Sequence, residues 1–381
     1  MGVVGHPTKP DLSRLRFPVE ASRGRRYPEP PHPYRNEFQR DRGRIVHARA
    51  FRRLENKTQV FNPGLHDHFR NRLTHTIEVS QIARTTAVAL KLNEDLTEVL
   101  ALAHDIGHPP FAHSGEAELN RQMGRYGEKF DHNLHALRLV ESFEQRYARF
   151  PGLNLTFEVR EGMVKHSRDI SDEDREVLRE YLPDCRPPLE GQLIDLADEI
   201  AYNTADLDDA YSAGMFSIED VTAAVPQYGE IRAEIERAYP EASERLIFQE
   251  ILRRLIDWLV SGLVEGTRDA AERASVGSFD DVRRHGVRLA CIEGPAMETN
   301  LALKTFLRHN VYYSRPLVEE REAAARQIGE LFQYYADQPD RLPEGYREQA
   351  HETPVHRVIC DYIAGMTDGY FKRTYAQVMG D

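Results

Sequence analysis

The densest group of reactive side chains in the sequence is H-D-I-G-H-P-P-F-A-H-S-G-E, residues 104–116. Imidazole and carboxylate together form a ligand set for Mn, Fe or Zn, and for Mg where carboxylate and water dominate. The same groups act as general acids and bases near neutral pH. The opposing reading is a polar helix end that runs into a loop. A single buried histidine is more often a hydrogen-bonded core residue than a ligand, so the choice depends on what the rest of the chain delivers to the same place.

Three helices bear on that choice. Over roughly 72–91, Val79, Ile82, Ala83, Thr86, Ala87 and Leu90 mark an inward stripe, and His75, four residues before Val79, falls on it. Over roughly 94–106, Asn93 is a suitable N-cap, Leu96, Val99, Leu100 and Ala103 face inward, and His104 continues their line. Gly107 and Pro109-Pro110 stop that helix. Two histidines from separate helices therefore point into the core, with Asp105 beside one of them. The set lacks a fourth ligand.

A third helix, roughly 189–212, has an apolar stripe of Leu193, Leu196, Ala197, Ile200, Thr204 and Leu207. Opposite lie Asp195, Asp198, Tyr202, Asp206 and Asp209, which by position alone is a solvated face. Yet Asp195, Asp198, Glu199, Asp206, Asp208 and Asp209 follow one another with no Lys or Arg between, and surface helices usually mix charge signs. Repulsion of that kind is easier to understand if some carboxylates face a cation or a cleft, so both readings stand at this point.

The remaining sequence sets bounds. At 381 residues, with 40% hydrophobic and 29% charged residues, the chain suits a globular protein with a sizeable core. Its apolar runs are too short to span a membrane, and no signal peptide is evident at the N-terminus. Three widely spaced cysteines favour a reduced cytoplasmic setting over a disulfide framework. A net charge of -12 argues against general duplex-DNA binding but leaves room for a local basic pocket. Forty-three of the fifty basic residues are Arg, the better bidentate phosphate ligand. Residues 1–38 read as an extended arm and 39–381 as one mostly helical domain, with a core at about 68–212 and a helical C-terminal part at about 213–381. Strand signals are limited to LNLTFEV (153–159) and GVRLACI (286–292).

The order His75, His104-Asp105, then a distant Asp resembles the H…HD…D signature of HD-domain metal phosphohydrolases. FQRDRGRIVHARAFRRLENKTQV (38–60), FRNRLTHTIEVSQIAR (69–84), ALAHDIGHPPFAHSGE (101–116), LADEIAYNTADLDDA (196–210) and DYIAGMTDGY (361–370) resemble the dGTPase-like deoxynucleoside triphosphate triphosphohydrolases. The resemblance implies an all-α fold: a single HD-domain core with an extended N-terminal arm and added C-terminal helices. It implies His75, His104, Asp105 and Asp198 as ligands of a divalent Mg, Mn or Fe ion. It further implies Gln59, Tyr202 and Asp206 at the sugar, and Arg72 and Lys304 at phosphate. His108, His113, Glu116 and His132 correspond to a second polar group, with His113 as the leaving-group acid and Glu116 orienting it. Tyr312 and Arg315 fall near family positions, Lys165-His166 has no firm assignment, and His66 and His68 read as loop residues.

The implied reaction splits a dNTP into deoxynucleoside and tripolyphosphate. The implied partners are a dNTP substrate, an activating dNTP and further copies of the chain, often six. The Arg-rich segment 40–53 leaves single-stranded DNA open as a partner. Two other readings compete: an HD nucleotidase or alarmone hydrolase cutting another phosphate bond, and a non-catalytic nucleotide or single-stranded DNA sensor.

Overall fold

The computed structural model describes residues 11–61 and 69–380, so His66 and His68 lie outside the described residues. The described residues form helices without a sheet; the only pairings are single antiparallel bridges at Arg25–Thr156 and Thr58–Asn71. The chain is all-α, as expected.

Helix boundaries follow local chemistry. α1 (Glu37–Val46) starts on a reciprocal cap in which Asn36 and Gln39 each accept the other's backbone N–H. α2 (Arg72–Leu90) starts the same way on Asn71 and Thr74. α3 (Glu94–Ala103) is capped by Asn93, whose side chain accepts from Leu96 N. It stops three residues short of the predicted end, so His104 and Asp105 sit in the turn that follows. Beyond this turn come α4 (Ala112–Gly124), α5 (His132–Arg138) and α6 (Phe157–Val164). Gly107 is required here, because a Cβ on it would lie 2.0 Å from the His132 carbonyl oxygen.

α7 (Leu189–Ser212) is the central element, packing on α2, α3, α8 (Glu244–Arg273) and α9 (Gly294–Leu307). It is buried along most of its length, and Asp206 and Asp209 of the acidic stripe are buried with it. The solvated-face reading is therefore overturned. α10 (Arg315–Asp337), α11 (Val355–Ala364) and α12 (Asp368–Met379) close a second apolar cluster with α4, built on Leu119, Met123, Ile328, Phe332, Ile359 and Phe371.

Neither predicted strand forms. Thr156 stands just before α6 and keeps only its bridge to Arg25, while Leu289 N donates to the Gln192 side chain at 2.7 Å instead of to a neighbouring strand. An extended segment without a second backbone beside it cannot make a ladder.

The described part of the arm is extended but firmly held. Leu12, Leu15 and Phe17 are buried, and Glu190 on α7 accepts from both Phe17 N and Asn93 N at 2.9 Å. Arg25 pairs with the fully buried Asp41, whose other oxygen accepts from Thr156 N and Oγ1 at 2.8 and 2.7 Å. In the Arg-rich segment, Arg40, Arg42 and Arg44 pair with Glu37, Glu98 and Glu29. Arg25 also pairs with Glu37 at 2.7 Å, so removing Asp41 leaves the buried Thr156 N–H and hydroxyl without their acceptor rather than a lone charge. Asp41→Ala should therefore lower unfolding free energy by about 1–3 kcal/mol, measured by urea denaturation. An unchanged midpoint would show that the pair does not secure the arm.

Candidate metal centre and active site

Three helices and one turn bring the expected ligands together. His75 projects from the first turn of α2, His104 and Asp105 follow α3, and Asp198 lies midway along α7. His75 Nε2 is 2.8 Å from Asp198 Oδ1, and His104 Nε2 is 3.7 Å from the same oxygen and 3.5 Å from Asp105 Oδ1. One ligand atom from each of His75, His104 and Asp198 lies within 4.8 Å of the others.

The state of His104 supports ligation. Its Nδ1 donates to the Ala101 carbonyl at 2.6 Å, which leaves the lone pair on Nε2, a buried atom with no hydrogen-bond partner. A buried acceptor aimed at two carboxylates is costly unless a cation sits between them. The donor set and this orphan atom fit a divalent ion. Burial alone would raise the carboxylates' pKa values. The Arg72 guanidinium, helped by the His108 N–H, instead holds Asp105 well below the usual range, and the His75 hydrogen bond lowers Asp198. Both are ionised, as metal ligands must be.

Arg72 is itself buried, with NH1 2.6 Å from Asp105 Oδ2, so it braces this ligand. Beside it stands the second polar group. His108 Nε2 is 3.2 Å from Asp105 Oδ1, and its ring stacks on His132 with centroids 4.0 Å apart. Glu116 Oε1 lies 2.7 Å from His132 Nδ1 and accepts from His132 N at 3.0 Å. His113, at the cavity mouth, is 77% exposed, with Nδ1 3.7 Å from Glu116 Oε2. Glu116 thus flanks both histidines, and its direct hydrogen bond goes to His132 rather than to His113 as expected.

A cavity of about 600 Å³ opens beside these groups, lined by Gln59, His113, Tyr202, Lys304, Tyr312 and Arg321 among others. Asp198, Tyr202 and Asp206 follow at four-residue steps along α7 and share a face. Tyr312 donates to Asp206 Oδ2 at 2.5 Å, and the Tyr202 and Tyr312 rings are 5.7 Å apart. Burial pushes Asp206 up to about 7, against the Tyr312 hydrogen bond that lowers it. Lys304 lines the cavity and pairs with Glu199 at 3.0 Å. Arg315 lies outside, exposed and paired with Glu319. Lys165 is buried on Glu161 and the Leu182 and Cys185 carbonyls, a structural role.

Two features escaped the sequence reading. His166, without assignment there, is buried against the His75–His104–Asp198 cluster, its ring 5.1 Å from His104 and Nδ1 2.8 Å from Asp195 Oδ1. Arg321 donates to the Tyr312 carbonyl at 2.9 Å from a helix that carries no recognisable motif.

With this geometry in view, comparison with known proteins decides the family. The HD domain profile matches residues 72–203, and the phosphohydrolase-associated domain matches 291–377. A "Deoxyguanosinetriphosphate triphosphohydrolase-like protein" of Azoarcus sp. is 45% identical over 97% of this chain and 96% of its own. Proteins of the same description in Ralstonia nicotianae (45%, covering 94% and 92%) and Geobacter sulfurreducens (44%, covering 93% and 92%) are similar. The chain belongs to this HD-domain phosphohydrolase family. As a family member it is a hydrolase, and among its described residues no helix is long and apolar enough to cross a membrane.

Two outcomes follow. Mn²⁺ at 100-fold excess over its Kd should stabilise chelator-stripped protein by about 2.7 kcal/mol, read as a rise in Tm, and Asp198→Ala should abolish the rise. A full rise in the variant would remove Asp198 from the ligand set. Asp206 has a raised pKa in the fold, so it favours folding below its unfolded value near 4 and loses that contribution as pH rises through about 7. The Tm of Asp206→Asn minus that of the parent should therefore grow between pH 5 and 8; a flat difference would contradict the buried carboxylate.

Proposed function

We propose that the protein hydrolyses 2′-deoxynucleoside triphosphates between the 5′ oxygen and the α-phosphorus, releasing a deoxynucleoside and tripolyphosphate. The observation that carries this reading is the run Asp198, Tyr202, Asp206 on one face of α7, which joins the His/Asp cluster to a cavity of nucleoside size. The names of the relatives support the same class of substrate.

A divalent ion held by His75, His104, Asp105 and Asp198 would polarise the phosphoryl group and acidify a water. The chain's own residues do the rest. Arg72 presents positive charge to phosphate oxygens, and His108, kept neutral by its burial and by Arg72, presents an N–H donor beside His132. His113 is the acid that protonates the departing 5′ oxygen, and its exposure lets it recover a proton from solvent. Glu116, held ionised by His113 and His132 against the effect of burial, keeps these imidazoles oriented. Gln59 and Asp206 receive the sugar hydroxyl, and Lys304 meets the triphosphate at the cavity wall. Tyr202 packs where a 2′-hydroxyl would sit. Cys185, Cys291 and Cys360 are unpaired, which fits a reducing cytoplasmic setting.

Each dNTP should be incubated with Mg²⁺, Mn²⁺ or Fe²⁺ in ¹⁸O-labelled water. Tripolyphosphate carrying the label is expected; pyrophosphate, orthophosphate or label in the deoxynucleoside would refute the assignment. Tyr202→Ala should relax discrimination against ribonucleotides, seen as a smaller ratio of dGTP to GTP kcat/KM. A ratio equal to the parent's would rule out Tyr202 as the sugar gate.

A further inference from the structure

The geometry points to Asp368 as a positioning residue for the active site, whose carboxylate ties together the two backbone segments carrying Gln59 and His113. Oδ2 accepts from Thr58 N at 2.8 Å and Oδ1 accepts from Phe111 N at 3.1 Å. Thr58 precedes Gln59. Phe111 closes the turn that carries His108 and leads into α4, where His113 sits. Both segments line the cavity, and Asp368 reaches them from 310 and 257 residues away in the chain. The inference rests on the reading of this cavity as the substrate site.

Two further observations converge on the same corner. Phe111 and Ala112 are consecutive non-glycine residues in the left-handed region, with φ of 59° and 54°. Such backbone costs about 1–3 kcal/mol per residue and persists only where its surroundings hold it. Asp368 bonds the N–H of the first of these residues, and the Phe371 ring, one helical turn on, packs edge-on against Phe111 at 5.1 Å. Lys57 supplies the second observation. Its buried ammonium donates to the His108 carbonyl and, at 3.3 Å, to the Ala364 carbonyl. Lys57 O in turn accepts from Arg72 N at 3.1 Å, which connects this corner to the start of α2.

The end of α11 and the start of α12 therefore hold both ends of the 108–111 turn, through Lys57 at His108 and through Asp368 at Phe111, together with the segment before Gln59. A first-turn Asp could serve only its own helix dipole. Here both oxygens are spent on remote backbone, and Thr367 already caps α12. Without the carboxylate the two cavity walls are free to separate. A misplacement of about 1 Å at a reacting group can cost on the order of 10²-fold in rate.

Asp368→Asn tests this, because it keeps the shape while turning one acceptor into a donor that faces an N–H. In the variant, kcat on the best dNTP should fall about tenfold or more. The Mn²⁺-induced rise in Tm, which reads the metal cluster, should match the parent's. Hydrogen exchange should quicken in peptides covering 57–61 and 108–115 and stay unchanged in 189–212. Parent-like kcat and exchange, or exchange that rises evenly along the chain, would overturn the inference. A parent that hydrolyses no dNTP would sink the proposed function instead, and the exchange comparison would still judge Asp368. Should the variant fail to fold, the parent decides: 57–61 and 108–115 must exchange as slowly as α2, and rapid exchange there refutes the tether.

Discussion

A cluster of imidazoles and carboxylates buried between helices is the constraint on which the rest of this structure depends. Taking such groups out of water is expensive unless each finds a partner. Here the partners come from far apart: His75 on α2, His104 and Asp105 after α3, and Asp198 on α7. The cluster forms only if α2, α3 and α7 pack in one arrangement, so the same contacts that bury apolar surface also assemble the ligands. The unpartnered Nε2 of His104 is the sign that protein groups alone do not complete it.

Around that centre the chain spends its polar groups in layers. Arg72 braces Asp105, and Glu116 holds His132, which stacks on His108. The region matched by the phosphohydrolase-associated profile, 291–377, supplies Lys304, Tyr312 and Arg321 to the cavity and Asp368 to the backbone behind it. The C-terminal helices are thus part of the cavity wall rather than an appendage.

What the sequence revealed and what it hid divide along physical lines. His75 and His104 were legible because each continues an apolar helical stripe, a local property. Asp198 was not legible from spacing, because the rule that a charged stripe faces water ignores which neighbours cover α7; the ordered family blocks corrected it. The predicted strands at 153–159 and 286–292 failed because apolar content does not provide a neighbouring strand. The roles of Lys57, His166 and Asp368 were hidden for a related reason: each acts through partners distant in the chain. The spacing of three between His113 and Glu116 pointed to His113 as the partner of Glu116, whereas its direct hydrogen bond goes to His132, which arrives from a different helix.

The most direct test is anomalous scattering from crystals of the protein soaked in Mn²⁺. The account predicts one strong peak at coordination distance from His75 Nε2, His104 Nε2, Asp105 and Asp198. A peak held instead by His108, Glu116 and His132, or none at either cluster, would contradict it.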